Sequence, residues 1–485
     1  MISKVVIYGC DAAAWLSANA LQTALGPTGL IVEVLELPSL LQVQDIYPTL
    51  PALEAFHSQM RIDEHDLLKA TGGSYSLGQS FTGFGPAPFF HAYGSYGVAI
   101  DRLPFFQHFT RARQKGLTVA LEDFSLTAAG AKVGRFIVPD STTGSFARTD
   151  YGYHLPAAAY VSYLRAKALK SGVRVTPVRS AAVEQDTDGN ITALLAGGER
   201  VTGDLFIDAS GAEAQLMRAL DVGFETWQGW FRGDRVLAAA GAPYASVPPY
   251  ARIEAFGHGW QGLYATQDRT RLVQVYDSRL MSDNDALHAA RTSGLKLGDA
   301  VVSELNPGRQ IQAWTKNCVA IGEAACVFDP IDSPGLHAIQ SGLVHLLALF
   351  PQVDDAAIER AEYNRLMQQG FERTRDFQIA HAVLCGHAGA YWRPPEAVLP
   401  DTLKRKLEAF RARGMVPMYD DEAFPLDSWE AVLTGHGLTP ESYEPLVEAT
   451  SDADLMGYLK RMLSHIREQV QSMNSHDSYL ELFCK

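Results

Sequence analysis

Lys4-Val-Val-Ile-Tyr8 runs directly into Gly9-Cys10-Asp11-Ala12-Ala13-Ala14-Trp15, and this stretch decides the fold. The first five residues are a short apolar run with β-branched side chains, which suits a strand buried on both faces. After a turn at Gly9, the residues Ala14, Ala18, Leu21 and Leu25 recur at spacings of four, three and four, one face of a helix. Gly26-Pro27 ends that helix. A second mostly apolar run, Leu30 to Leu35 with Glu33 interrupting, finishes at Glu36. Strand, helix and strand make a βαβ opening, the unit that sets a nucleotide phosphate over a helix N-terminus.

The dinucleotide fingerprint within this unit asks for three glycines: for the turn, for close approach of backbone to pyrophosphate, and for helix packing. Gly9 is the first, Ala14 is an accepted third, and Glu36 stands where a carboxylate binds a ribose hydroxyl. Asp11 replaces the second, next to Ala12 and Ala13, whose backbone would face the phosphates. At about 5 Å and an effective dielectric near 20, one such like-charge contact costs roughly 3 kcal/mol, over a hundredfold in affinity. The residues leave two readings open: a weakened dinucleotide site, or an inherited βαβ frame whose ligand is lost.

The chain has 485 residues, 47% hydrophobic and 20% charged, ordinary values that exclude collagen, extended disorder and a disulfide scaffold. Its net charge of −14 repels phosphate backbones and acidic lipid, which argues against nucleic acid as a partner. Five cysteines (Cys10, Cys318, Cys326, Cys385, Cys484) with no CxxC spacing suggest neither a disulfide framework nor a metal cage, and point to a reducing, cytoplasmic home. No run approaches the roughly 20 apolar residues that a bilayer demands. Met1 to Leu25 is apolar enough to suggest a signal peptide, but Asp11 interrupts it and strand, turn and helix is the better reading.

Further along, a helical segment is expected near Pro48 to Ala70. Strands are expected at Arg174–Val178, Ala182–Gln185, Ile191–Leu195 and Asp204–Asp208, with Asp188-Gly-Asn190 as a hairpin turn. The run from Glu184 to Gly189 faintly imitates a calcium loop, but Leu195 stands where the bidentate Glu is required, so a plain turn is preferred. Beyond about Leu346 the chain turns helical. Tyr363, Leu366, Met367, Gly370, Phe371, Thr374 and Phe377 trace one face. Another helix opens at Pro400, with Asp401 and Thr402 as candidate caps, Leu403, Leu407 and Phe410 inward, and Gly414 at its end.

Several longer segments, in order, resemble the flavin-dependent tryptophan halogenase family up to about Gly342. Gly9 to Trp15 resembles GGGTAGW. Pro48-Thr-Leu, Arg61-Ile-Asp-Glu and Ala70-Thr-Gly-Gly-Ser-Tyr-Ser-Leu-Gly78 resemble PTL, GIDE and ATGATFKLG. Phe90-His-Ala-Tyr-Gly-Ser-Tyr-Gly97 resembles FHPFGSYG, and Asp204 to Gly211 resembles DLFIDCSG. Val319 to Ala325 resembles VAIGDAA, and Asp329 to Gly342 resembles EPLESTGLHLIQSG.

The resemblance implies an α/β flavoprotein-monooxygenase fold with mixed sheets, a module over residues 1–345 that binds FAD and substrate, and a helical subdomain over 346–485. It implies an enzyme that takes reduced FAD from a partner reductase and turns halide into hypohalous acid, which reaches an indole past a lysine and a glutamate. A homodimer is among the expectations. The flavin positions carried over are Asp208, Gly211, Gly322, Glu323 and Leu336. His91, Tyr93 and Ser333 match substrate positions, with His91 and Tyr93 expected to sandwich an indole; a structural histidine is the plain alternative for His91, and a helix-capping aspartate in a Pro-rich turn for Asp332.

The catalytic positions differ from the family pattern. The lysine is Ser76, which has no positive charge and cannot form a haloamine, and the glutamate is Asp332, one methylene shorter. The halide-binding Thr-Gly pair is Pro334-Gly335, and proline lacks the N–H that an anion would use. WxWxIP becomes Trp260-Gln-Gly262-Leu-Tyr264-Ala265, and VGEATIP becomes the shorter Val43-Gln-Asp-Ile-Tyr-Pro48. These changes imply a flavoenzyme with altered or impaired halogenation, against the alternative of a non-catalytic relative that binds a small aromatic ligand or a partner protein. A pyridine-nucleotide dehydrogenase fits the opening but not the segments around Asp208 and Gly322. Hydrolase and metalloprotease readings lack GxSxG and HExxH.

Overall fold

A computed structural model describes residues 2–136, 149–292, 294–351 and 356–484. The chain divides into two compact units, each discontinuous: Met1–Gly72 with Leu155–Gln228 and Glu304–Arg373, and Gly73–His154 with Gly229–Ser303 and Thr374–Lys485. The boundary expected at 345/346 falls inside the helix Gly335–Ala348.

The first unit is built on the βαβ opening. Lys4–Gly9, Asp11–Leu25 and Ile31–Glu36 are strand, helix and strand, and the two strands pair in parallel. They sit in a six-stranded sheet with the order Trp314–Thr315, Cys318–Ala320, Leu205–Ala209, Lys4–Gly9, Ile31–Glu36 and Arg174–Pro177. The edge strand Trp314–Thr315 runs antiparallel, so the sheet is mixed. Helix Asp11–Leu25 is buried on more than the one face its periodicity gave: Trp15, Leu16, Ser17, Asn19 and Ala20 join Ala14, Ala18 and Leu21 inside. The cause is tertiary, since helices Ala157–Lys170 and Gly335–Ala348 both pack on it. Asn19 fastens the first of these, donating from Nδ2 to the carbonyls of Trp15 and Leu164 at 2.7 and 2.9 Å. The hairpin turn forms as expected: Ala182–Gln185 pairs antiparallel with Ile191–Ala196, and the Asp186 carboxylate accepts the N–H groups of Asp188 and Asn190.

The second unit carries a seven-stranded sheet with the order Leu297–Glu304, Arg235–Gly241, Thr270–Tyr276, Gly259–Ala265, Ala251–Phe256, Gly78–Thr82 and Phe89–Ala92. Its C-terminal part is helical. In the long helix Ala357–Leu384, which spans the division between the units, Tyr363, Met367, Phe371, Thr374 and Phe377 are buried. Helix Asp401–Arg413 buries Leu403, Leu407 and Phe410 and ends at Gly414 with φ 62°. Neither Asp401 nor Thr402 caps it. The N-cap is Pro400, and the Thr402 hydroxyl is drawn instead to the Asp376 carboxylate. No helix among the described residues is long and apolar enough to cross a membrane.

Candidate functional site

The candidate nucleotide residues lie within the first unit. Gly9 pairs with Ala209 on one side and Glu36 on the other, and a Cβ at Gly9 would come within 2.0 Å of the Ala209 carbonyl oxygen. Only glycine lets the two strand ends approach so closely. The first intrahelical bond of Asp11–Leu25 runs from the Ala14 N–H to Cys10 O, so the N–H groups of Asp11, Ala12 and Ala13 are not used inside the helix. Gly322 closes the cradle from below: with φ 69°, it would place a Cβ 3.1 Å from both Ala13 and Ile339. The backbone frame suits a dinucleotide.

Its side chains suit one less well. Asp11 takes φ 57°, a left-handed conformation natural for the glycine it replaces and tolerated by aspartate. Its Oδ2 accepts from the Cys10 thiol at 3.4 Å, while Oδ1 is buried without a hydrogen-bond partner. Burial pushes the Asp11 carboxyl up, against the pull of the Ser39 hydroxyl and the Cys10 thiol. Glu323 is exposed to solvent, yet desolvation by the surrounding protein and then the Asp11 charge push its carboxyl up. In the same surroundings the Cys10 thiol is pushed up to about 12, first by burial and then by Asp11. The frame therefore fits FAD in its glycine contacts and its ribose carboxylate, and misfits at the pyrophosphate.

Glu36 is not a lone carboxylate. Arg165 grips it through both oxygens at 2.8 and 2.9 Å and lies over the Trp15 ring at 5.5 Å. A carboxylate has about four lone-pair positions, so two stay open to a ribose diol. Arg165 escaped the sequence reading because no motif surrounds it. Asp208 is fully buried, and its two oxygens accept from Ser210 N–H and hydroxyl and from the N–H groups of Leu216 and Met217. It shapes the loop that holds Gly211, which itself takes φ 70°.

Asp332 and Ser333 both take φ 62° and are 1% and 4% exposed. Two successive non-glycine residues in that region, held in the interior, are the kind of strain that concentrates at functional sites. They lead into Pro334, the N-cap of helix Gly335–Ala348, which has no side-chain cap. Proline offers no N–H there, leaving those of Gly335, Leu336 and His337 in the first turn. Gly335 is exposed and Leu336 is buried.

The second unit holds the other expected residues. Ser76 ends the strand Ser74–Ser76, which pairs antiparallel with Gly152–Pro156 so that Ser76 faces Gly152 and Ser74 faces His154. The Ser76 hydroxyl donates to Gly78 O at 3.3 Å. On the same face, His154 Nδ1 and the Ser74 hydroxyl both donate to Ala265 O, at 3.1 and 2.6 Å. Burial holds His154 at about 4 and hence neutral. A Cβ on Gly262 would meet the Tyr264 hydroxyl at 2.7 Å, so Tyr264 fills the room that a second tryptophan would take.

His91 and Tyr93 meet at right angles, with centroids 5.9 Å apart and an interplanar angle of 88°. No flat ring fits between rings so arranged, so the pair forms one wall and not the two sides of a sandwich. His91 Nε2 is bonded to the Ser428 hydroxyl at 2.8 Å, and Phe377 and Phe424 pack beside it, as a structural histidine requires.

The family model described as tryptophan halogenase matches residues 4–452. Among solved structures, BrvH, a flavin-dependent halogenase from Brevundimonas sp. BAL3, is 31% identical with a TM-score of 0.94, each chain covered fully. A flavin-dependent halogenase from Xanthomonas campestris is 30% identical with a TM-score of 0.95, over 100% of this chain and 99% of that one. Tryptophan 7-halogenase RebH from Lentzea aerocolonigenes is 26% identical, covering 98% of each chain.

Proposed function

Because the chain belongs to the tryptophan halogenase family, we propose that it is an FAD-dependent oxidoreductase acting on an indole or another electron-rich aromatic in the cytoplasm, with the lysine route of halogen transfer closed. A separate reductase would deliver reduced flavin. When bound, that reduced flavin would activate dioxygen, and dioxygen would serve as the two-electron oxidant that converts halide to hypohalous acid, with water and oxidised FAD as the other products. Gly9, Ala12, Ala13 and Gly322 would line its phosphates, and Glu36 its ribose. The buried Asp332 carboxylate would take the proton that leaves the aromatic carbon on substitution, and His91 with Tyr93 would present an aromatic wall. Ser76 donates a hydrogen bond but has no amine to carry halogen.

The observation that carries this reading is the pairing of a retained nucleotide frame, Gly9 against Ala209 with Glu36 alongside, with Ser76 at the lysine position. The misfit of Asp11 favours the second reading, a non-catalytic relative that binds a small aromatic ligand or a partner protein. One experiment separates the two: purified protein with a flavin reductase, NADH, FAD, bromide and indole. FAD uptake and an FAD-dependent product lost in Asp332→Asn support the enzyme, while a colourless protein that takes up no FAD overturns it. Chlorination of free tryptophan at about one per second or faster would overturn the closed lysine route.

A further inference from the structure

Seven tryptophans lie in this chain, and each carries an indole, the ring that the proposed oxidant attacks. Six are at most 7% exposed: Trp15, Trp227, Trp260, Trp314, Trp392 and Trp429. Of the seven, Trp230 alone is half-buried and within reach of solvent. Its indole N–H donates to Val398 O at 3.0 Å. That strap is fastened by the Ala397 N–H on Gly229 O and by Arg232 Nη2 on Pro394 O, both at 3.2 Å. Over the ring stands the guanidinium of Arg375, 4.8 Å from the centroid. Arg375 is itself 6% exposed, and its Nε and Nη2 donate to Asp376 Oδ1 at 3.2 and 2.9 Å. The cation over Trp230 is therefore fixed in place.

We propose that Arg375 shields Trp230 from the hypohalous acid of the reaction above: it holds a positive charge against the accessible indole and so suppresses electrophilic attack on it. The inference rests on the halogenase reading and adds to it how the protein survives its own oxidant. In such an attack by hypobromous acid, bromine bonds to C3 of the ring as the O–Br bond breaks, which leaves a cationic indoleninium. Water then adds at C2 and hydrogen bromide leaves, so the side chain gains one oxygen. A guanidinium on the ring face favours the neutral ring, whose π electrons attract it, and opposes the cation. Two unit charges about 5 Å apart at an effective dielectric near 20 repel enough to slow that step over a hundredfold. The Asp376 carboxylate takes part of this back, leaving about tenfold.

The test treats the full-length protein with hypobromous acid as a reagent and reads oxygen gain at Trp230 by peptide mass spectrometry. Sulfoxide at Met415, which is 51% exposed, serves as the dose standard. Arg375→Met is expected to raise the yield of oxidised Trp230 about tenfold, whereas Arg375→Lys, which keeps the charge, should stay within about twofold of the native chain. Asp376→Asn, which removes the counter-charge, should lower it. No rise in Arg375→Met, or an equal rise in Arg375→Lys, means that the charge does not protect and overturns the shield. Should Arg375→Met fail to fold, Asp376→Asn decides: an unchanged or higher yield overturns the proposal. A second arm supplies FAD, a flavin reductase, NADH and bromide without indole, and Trp230 should be oxidised in Arg375→Met and spared in the native chain. A contrast with the reagent but no oxidation in this arm would mean that no hypohalous acid is made: the halogenase reading falls, and the shield has nothing to guard against.

Discussion

In the proposed FAD site, Asp11 would set how strongly a phosphate is held at this helix. It brings a carboxyl to a position where the motif it resembles has glycine, and its carboxyl and that of Glu323 are both raised in the folded chain. A raised carboxyl pKa means that the fold favours the protonated form. The stability these two groups contribute is present below their ordinary values and is lost as pH rises through the raised ones. An arriving pyrophosphate pushes both further up, so binding takes up protons and FAD affinity should increase as pH falls towards that range. Asp11→Gly should tighten FAD binding at neutral pH by about tenfold or more and flatten the pH profile, both read by calorimetry at several pH values. Unchanged affinity would mean that the carboxylate does not face the phosphates.

At the scale of strands and helices, close approach of backbones does what side chains cannot. Gly9→Ala would drive a methyl group into the Ala209 carbonyl, backbone against backbone with no rotamer to escape into, and should cost about 3 kcal/mol, seen as a lowered urea midpoint. The ladder around Ser76 is more forgiving, because Gly152 opposite brings no side chain. Ser76→Lys returns an ammonium to the family position, and product formation from indole with bromide should rise at least tenfold over the native chain. No gain would show that more than the lysine has been lost. The βαβ opening, the glycine turn and the Asp188–Asn190 hairpin were legible because each is local: periodicity and turn chemistry reach only a few residues. The grip of Arg165 on Glu36 joins residues 129 apart, and the bond from His91 to Ser428 joins residues 337 apart. No pattern along the chain encodes such partners, so Glu36 read as a free ribose ligand and His91 as one side of a sandwich. The caps misled for a related reason: Pro400 already supplies the helix start, which frees Thr402 for Asp376.

The molecule as a whole carries a net charge of −14, and the cofactor it would take is itself an anion. Cofactor sites commonly set a basic field against phosphate, so salt slows their association. Here the sign is reversed: the long-range field repels FAD, and Arg165, a cation beside the nucleotide frame, is paired with Glu36. At about 0.01 M salt the screening length is roughly 30 Å and the whole surface is felt, whereas at 0.15 M it is roughly 8 Å and only near neighbours act. Association of FAD should therefore speed up several-fold between these two ionic strengths. Dissociation, governed by contacts inside the site, should barely change. Stopped-flow measurements at constant pH in sodium chloride separate the two rates. A rate that falls with salt would reveal a local positive field strong enough to override the net charge.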